Sequence, residues 1–355
     1  MKRRSFLNRC LVTSGGVIIG KNILYAEAIK EINHQFSNEI DFESFDVIIN
    51  GAGLAGYYAA LEASKKGMKV LVLDKRTSPG YDIAGKRKLW LNSSGVEHFQ
   101  KEHFELFFPD GEKSEIASSY ENPSFPSSNS ITEDEELLLF AGSIKKGMMR
   151  NLLINKVQVL LMTDVCGIIS DDSSIKGVLV ACKHGLFTIK CKSFIDATDN
   201  NLFTRDFFNQ NYKIEKAGFV IELIDVKNPI RGELPVDISL GTLNNKIKLH
   251  KGKKTADQQF IDFEFPGGNN NIGEIEQQAR FISANISKHI PTIDEKFSAP
   301  AKLYNYALEC SYFIDNSELP DINLSGFYCL KNSSKETLSC KNILDIESTS
   351  KSLIE

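Results

Sequence analysis

The stretch Asp46-Val47-Ile48-Ile49-Asn50-Gly51-Ala52-Gly53-Leu54-Ala55-Gly56 decides how this chain is read. A short apolar run ends at glycines, as a buried parallel strand does. Leu54 to Lys66 then reads as a helix with a small-residue face of Ala55, Ala59, Ala60 and Ala63, ended by Gly67. Val70 to Leu73 is a second buried strand, completing one βαβ unit. Gly51 allows the tight turn, Gly53 lets backbone approach a diphosphate, and Gly56 lets helix and strand pack closely. The helix N-terminus offers unpaired N–H groups and partial positive charge to phosphates. Asp74, 23 positions beyond Gly51, ends the second strand, where a carboxylate accepts ribose hydroxyls and repels a 2′-phosphate. A GxGxxG string alone is a weak signal. The strand, helix, second strand and acidic residue around it make this a dinucleotide-binding reading, against the alternative of a glycine-rich turn with no ligand.

Downstream, residues 106–130 are rich in Ser, Pro and Asn and read as a long surface loop. Thr132 and Glu135 have capping-box spacing, which predicts a helix through Leu139. A second helical stretch, Ile144 to Asn155, leads into a strand from Val157 to Met162. Three strands follow, Val165–Ser170, Ile175–Cys182 and Leu186–Cys191, as a β-meander with its last turn at His184-Gly185. Ser193 to Ile195 is expected to return to the main sheet. Beyond about Asn201 the pattern becomes alternating strands: Phe219–Val226, Phe260–Phe265 and Tyr304–Phe313. One helix interrupts them, with Ile275, Ala279, Ile282 and Ile286 on one face and Pro291 after its end. Residues 244–254 carry five lysines and read as a solvated loop, with an anionic-ligand site as the alternative. The fold class is therefore α/β: a Rossmann-like domain, parallel sheet with β-meander, plus a smaller α+β domain.

The chain has 355 residues, 42% hydrophobic and 25% charged, with a formal net charge of −4, which fits a packed protein and excludes a global basic excess for nucleic acid. Lys2, Arg3, Arg4 and Arg9 precede a weakly apolar stretch, Leu11 to Gly20, and small residues at Ala26 and Ala28. Residues 1–28 thus read as a signal peptide. Arg3-Arg4-Ser5-Phe6-Leu7 resembles a twin-arginine export signal; an ordinary secretory signal or a basic arm are the alternatives. The expected location is periplasmic or secreted, the expected partner at this end is the twin-arginine export machinery, and the mature chain has no expected membrane span. Of seven cysteines, Cys182 and Cys191 flank the meander turn; a two-residue turn at His184-Gly185 would set Cys182 opposite Phe187, so they should not bridge. No cysteine spacing resembles a zinc or redox site.

Ile195-Asp196-Ala197-Thr198-Asp199 resembles a second flavin motif, usually hydrophobic-x-Ala-Thr-Gly. With the opening βαβ unit and the meander, it makes the chain similar to FAD-dependent oxidoreductases of the glutathione-reductase type. The stretches Arg76 to Ile83 and Leu89-Trp90-Leu91 resemble the segment after the second strand in secreted (twin-arginine) members of that family. The resemblance spans Asp46 to about Arg205. It implies FAD as cofactor, and hydride or electron transfer with a small-molecule substrate. It implies that Gly51, Ala52, Gly53, Leu54, Ala55 and Gly56 line the diphosphate and that Asp74 meets the adenosine ribose. Lys75 or Arg76 would sit near the adenine-side phosphates, Val165 would touch the adenine through its backbone, and Ala197 and Thr198 would lie near the flavin-side phosphates. The implied organisation is signal 1–28, linker 29–44, FAD-binding domain 45–205, substrate domain 206–335, and an incomplete return to the FAD-binding domain at 336–355.

Two departures qualify the resemblance. Asp199 stands where the family has Gly, adding negative charge near a diphosphate. Lys341 to Leu344 looks like the strand entering the last flavin motif, yet no glycine follows Gly326. Truncation, a degenerate paralogue that is a non-catalytic nucleotide-binding or scaffold protein, and a partner chain completing the flavin site all remain open. Tyr81, His98 and His103 could face a ring, but no catalytic residue is assigned. His98 and His103 lack metal-site spacing, and no metal is expected.

Overall fold

The βαβ unit consists of β1 (Phe45–Asn50), α1 (Leu54–Lys65) and β2 (Val70–Asp74). A computed structural model describes residues 23–24, 44–107, 136–171, 173–226, 229, 231–235, 246–252, 257–268, 271–293, 302–315, 319, 322–330 and 338–354. Helix α1 lies directly on β1 because Gly56 faces the Gly51 carbonyl oxygen, where a Cβ would overlap it. Ala55, Ala59, Ala60 and Ala63 are fully buried along the same contact. Gly67, in the left-handed region at φ +77°, turns the chain towards β2.

A π-helical turn, Tyr81–Gly85, and the short strand β3 (Trp90–Asn92) come next, then α2 (Lys101–Phe107), β4 (Glu136–Leu138) and α3 (Ala141–Ile154). Strands β5 (Gln158–Leu161), β6 (Asp164–Ser170), β7 (Ile175–Cys182) and β8 (Gly185–Asp196) continue the first sheet. Its parallel part runs β5-β2-β1-β8. Strand β8 serves both halves: residues 185–190 close the antiparallel meander with β7, and residues 191–196 run parallel beside β1. The expected meander and the return of Ser193 to Ile195 are thus one continuous strand.

After α4 (Leu202–Phe207) comes an antiparallel sheet. Its strands are β9 (Ile214–Ile224), β10 (Gly232–Pro235), β11 (Lys246–Lys251), β12 (Gln259–Pro266), β13 (Lys302–Tyr306) and β14 (Ser311–Ile314), with α5 (Ile272–Ile293) between β12 and β13. Phe219, Ile221, Ile247, Leu249, Ile261 and Phe263 share a core with Ile275, Ala279, Ile282 and Ile286 of α5. Strand alternation puts Glu222, Lys248, His250 and Asp262 on the opposite face. The chain re-enters the first sheet at β15 (Phe327–Cys329), parallel to β8, and ends in α6 (Cys340–Ile354) against α1.

Several expectations are corrected. Lys341 to Leu344 is helix, not strand. Ser339 and Asn342 cap α6 reciprocally, each side chain accepting the other's backbone N–H at 3.1 Å, and Ile343 and Ser350 are buried on one face. Glu136 to Leu138 is a strand rather than the end of a helix, since pairing with β3 outweighs the local capping signal; Thr132 to Glu135 lie outside the described residues. Of the expected loop at 106–130, Leu106 and Phe107 belong to α2, and the rest lies outside the described residues. Lys246 to Lys251 is strand β11, its alternation placing Ile247 and Leu249 in the core. Tyr304 to Phe313 is two strands with Ala307 to Cys310 between them, and Pro291 lies within the last turn of α5. Cys182 faces Gly185, so the tight turn is Lys183-His184, and the six described cysteines are free thiols. Residues 1–43 lie outside the described residues except Ile23–Leu24, which pairs in parallel with Ile168 and Ile169.

His103 ties α2 to α6. Its Nδ1 accepts from the Gln100 N–H at 3.0 Å, so its Nε2 donates to Glu347 at 2.8 Å, and its ring stacks on Phe99. That hydrogen bond, with Lys351 adding to it, holds the Glu347 carboxyl down at about 2. A carboxylate with a depressed pKa stabilises the fold above its unfolded value and loses that contribution as pH falls. Glu347→Gln should therefore lower stability by about 2 kcal/mol at pH 7 and by much less at pH 2.5 in urea unfolding. An equal loss at both pH values would contradict this clamp.

Candidate functional site

The loop Gly51–Gly53 is held by its own backbone. Gly51, at φ +112°, donates its N–H to Leu73 O at 2.8 Å, and a Cβ on Gly51 would lie 2.7 Å from Ala197 O. The backbone after β8 therefore leaves no room for a side chain here, and the positive φ also favours glycine. Asp74 is buried, and its two oxygens accept from the Ala52 N–H at 2.7 Å and the Arg76 N–H at 2.8 Å. Burial pushes its carboxyl up, against the pull of Arg76 and these amides.

Beside this junction opens a cavity of about 320 Å³, lined by Asn50, Gly51, Asp74, Lys75, Arg76, Val165, Thr198 and Asp199 among others. Six residues singled out from the sequence meet there: Gly51, Asp74, Lys75, Arg76, Val165 and Thr198. Ala52, Leu54, Ala55, Gly56 and Ala197 are buried around the strand–helix crossing instead, and Gly53 is half-buried at the start of α1. The cavity has the size and mixed lining of a small-ligand site.

Asp196, not singled out beforehand, organises the turn after β8. Its carboxylate accepts from the N–H and hydroxyl of both Thr198 and Thr204, at 2.6 to 2.9 Å. Asn200 and Asn201 follow in left-handed backbone, which asparagine tolerates better than most residues. Asp199 is ion-paired with Lys86, and Arg76 reaches it at 3.9 Å. Burial pushes the Asp199 carboxyl up, but Lys86 and Arg76 outweigh this and hold it below its usual range. Arg76 also donates to Glu309 at 2.7 and 2.9 Å and lies over the Tyr81 ring.

The first turn of α1 carries no acidic residue of its own. Its Leu54 N–H donates to Asp82 Oδ2 at 2.8 Å, across 28 residues of chain. The other oxygen, Oδ1, is sealed from solvent without a hydrogen-bond partner. Burial and the neighbouring Asp199 push the Asp82 carboxyl up to about 6. The glycine turn and the cavity fit a dinucleotide, while two amides of the turn already hold carboxylates, Ala52 that of Asp74 and Leu54 that of Asp82.

A second polar cluster escaped the sequence reading. His250 stacks on Trp90 at 3.7 Å between centroids, and its Nδ1 lies 2.9 Å from Glu136 Oε1. Arg87 pairs with Glu222, and burial pushes the Lys88 ammonium down beside Asp262. Arg87 Nε, Trp90 Nε1, His250 Nε2 and Asp262 Oδ1 are buried without partners. The alternation of Lys248 with His250 was the available signal. Of the residues considered for catalysis, His103 is the α2–α6 tie, His98 is exposed, and Tyr81 lies under Arg76. Among the described residues no group of three or more His, Cys, Asp or Glu is arranged to hold a metal, and no helix is long and apolar enough to cross a membrane.

Residues 46–202 match the family model described as FAD dependent oxidoreductase. A search of curated proteins gave no match. Among solved structures, the chain is similar to a geranylgeranyl bacteriochlorophyll reductase-like protein from Thermoplasma acidophilum, at 14% identity and TM-score 0.55, over 81% of this chain and 71% of that one. It is similar to a flavoprotein/dehydrogenase from Cytophaga hutchinsonii, at 17% identity and TM-score 0.53, over 87% and 77%. A third is aklavinone-11 hydroxylase, solved as a ternary complex with FAD and aklavinone, at 13% identity and TM-score 0.53, over 82% and 57%. At these identities the structures speak for the fold alone. The matched segment spans the strand–glycine–helix junction and the turn after β8, so residues 46–202 have a Rossmann-like FAD-binding fold, with FAD as its cofactor.

Proposed function

We propose that the chain is an exported flavoprotein of the glutathione-reductase type that exchanges a hydride or electrons with a small organic substrate. The observation that carries this reading is the convergence of Asp74, Lys75, Arg76, Val165 and Thr198 on one cavity beside the Gly51 turn. Bound FAD would supply the redox chemistry. The chain's part is to seat it. Gly51, Ala52, Gly53, Leu54, Ala55 and Gly56 make room for the diphosphate and Asp74 addresses the ribose. Lys75 or Arg76 faces the adenine-side phosphates, Val165 the adenine, and Ala197 and Thr198 the flavin-side phosphates. No side chain is assigned to proton transfer.

A second reading has an observation behind it. Asp82 on the Leu54 amide and Asp199 beside it favour a non-catalytic descendant that has lost tight FAD binding. The visible spectrum of the purified chain separates the two. The oxidoreductase reading expects a flavin band, or uptake of added FAD, and Gly53→Val should weaken uptake at least tenfold. A colourless protein that takes up no FAD would support the descendant, and unchanged uptake by Gly53→Val would reject the diphosphate placement.

The export reading rests on Arg3 and Arg4. Replacing both by Lys should retain the precursor in the cytoplasm in a fractionation assay. Undiminished export would contradict a twin-arginine route.

A further inference from the structure

The first amide of α1 is already held by an anion of the chain itself. Among the described residues, Asp82 Oδ2 accepts the Leu54 N–H at 2.8 Å and would lie 2.9 Å from a Cβ built on Gly53. It therefore sits against the two residues whose backbone an incoming diphosphate must approach. Asp82 comes from the π-helical turn Tyr81–Gly85, entered through left-handed Gly80. Its other oxygen gains nothing from the arrangement, being sealed off and unpartnered. A buried oxygen without a partner is costly, and such groups concentrate where function demands them.

We propose, resting on the FAD reading above, that Asp82 is an affinity-setting residue: its ionised carboxylate competes with the cofactor's diphosphate for the Leu54 amide, so FAD binds the chain well only when Asp82 is neutral or its turn has moved aside. Two anions cannot share one helix N-terminus without repulsion. The groups facing Asp82 from every side fix the sign. Asp199, from the turn after β8, repels it; Lys86, following its own turn, and Arg76, beyond β2, attract it; the Leu54 amide of α1 donates to it. Both cations are already shared, Lys86 with Asp199 and Arg76 with Asp199 and Glu309. Asp199 is held below its usual range, so it stays charged at neutral pH and contributes repulsion that does not titrate there. Asp82, lifted to about 6, changes charge between pH 5.5 and 8.

The test is a titration of the full chain in its flavin-free form with FAD, followed by flavin fluorescence, at several pH values from 5.5 to 8. The dissociation constant of the wild type should rise by up to about tenfold per pH unit above 6, because the competent fraction falls in that proportion. Asp82→Asn keeps a neutral acceptor for the Leu54 N–H. It should bind at pH 8 roughly as the wild type does at pH 5.5, with little pH dependence. Asp82→Ser covers the case in which the carboxamide perturbs folding, with helix content checked by circular dichroism. As a readout without flavin, inorganic pyrophosphate should protect the Leu54 amide from hydrogen exchange more strongly in Asp82→Asn than in the wild type at pH 8. Equal wild-type affinity at pH 6 and 8, or a slope kept by both variants, would overturn the role of Asp82 and leave the FAD reading standing. Failure of all three proteins to bind FAD at any pH would overturn the FAD reading itself, and the proposal with it.

Discussion

Everything in the site depends on the contact between two backbones, Gly56 of α1 against the Gly51 carbonyl at the end of β1. With no Cβ between them, the helix settles on the strand and its first amides open towards the turn. On the other side, the Ala197 carbonyl, directly after β8, lies where a Cβ on Gly51 would go. Helix α6 then braces α1 from outside, with Ser350 Oγ 3.4 Å from Ala55 O. The cavity beside Asp74 is what remains open once these contacts are made.

Charge governs that space as much as shape does. Asp74, Asp82, Asp199 and Glu309 surround Arg76 and Lys86, and the carboxylates answer one another through the shared cations. Arg76 stays ionised because the carboxylates around it outweigh its burial. Asp82 has no cation to itself and bonds instead to a helix amide. A ligand carrying a diphosphate must therefore reorganise these pairings on entry, which ties cofactor affinity to the protonation of the cluster.

The first βαβ unit was legible because glycine spacing, a small-residue helix face and an acidic strand end all report the same local geometry. Asp74, Arg76 and Val165 could be brought together only through family resemblance, since nothing in their spacing brings β2 and β6 to one cavity. The pairing of β4 with β3 lay beyond local reading, because a capping box and a three-residue strand compete and the partner is distant in sequence. The final helix was misread for a different reason: Lys341 to Leu344 matched a family pattern, while the cap that favours a helix pairs Asn342 with Ser339, outside that pattern. Asp82 and the His250–Trp90 stack were invisible because each depends on a partner far away in the chain.

The measurement closest to the central claim is a crystal structure of the full chain grown with FAD at pH 5.5. It should show the adenosine diphosphate half in the cavity between β1 and β2, its diphosphate at the first turn of α1 and Asp74 beside the ribose. FAD bound elsewhere, or that cavity without FAD at saturating cofactor, would contradict the account.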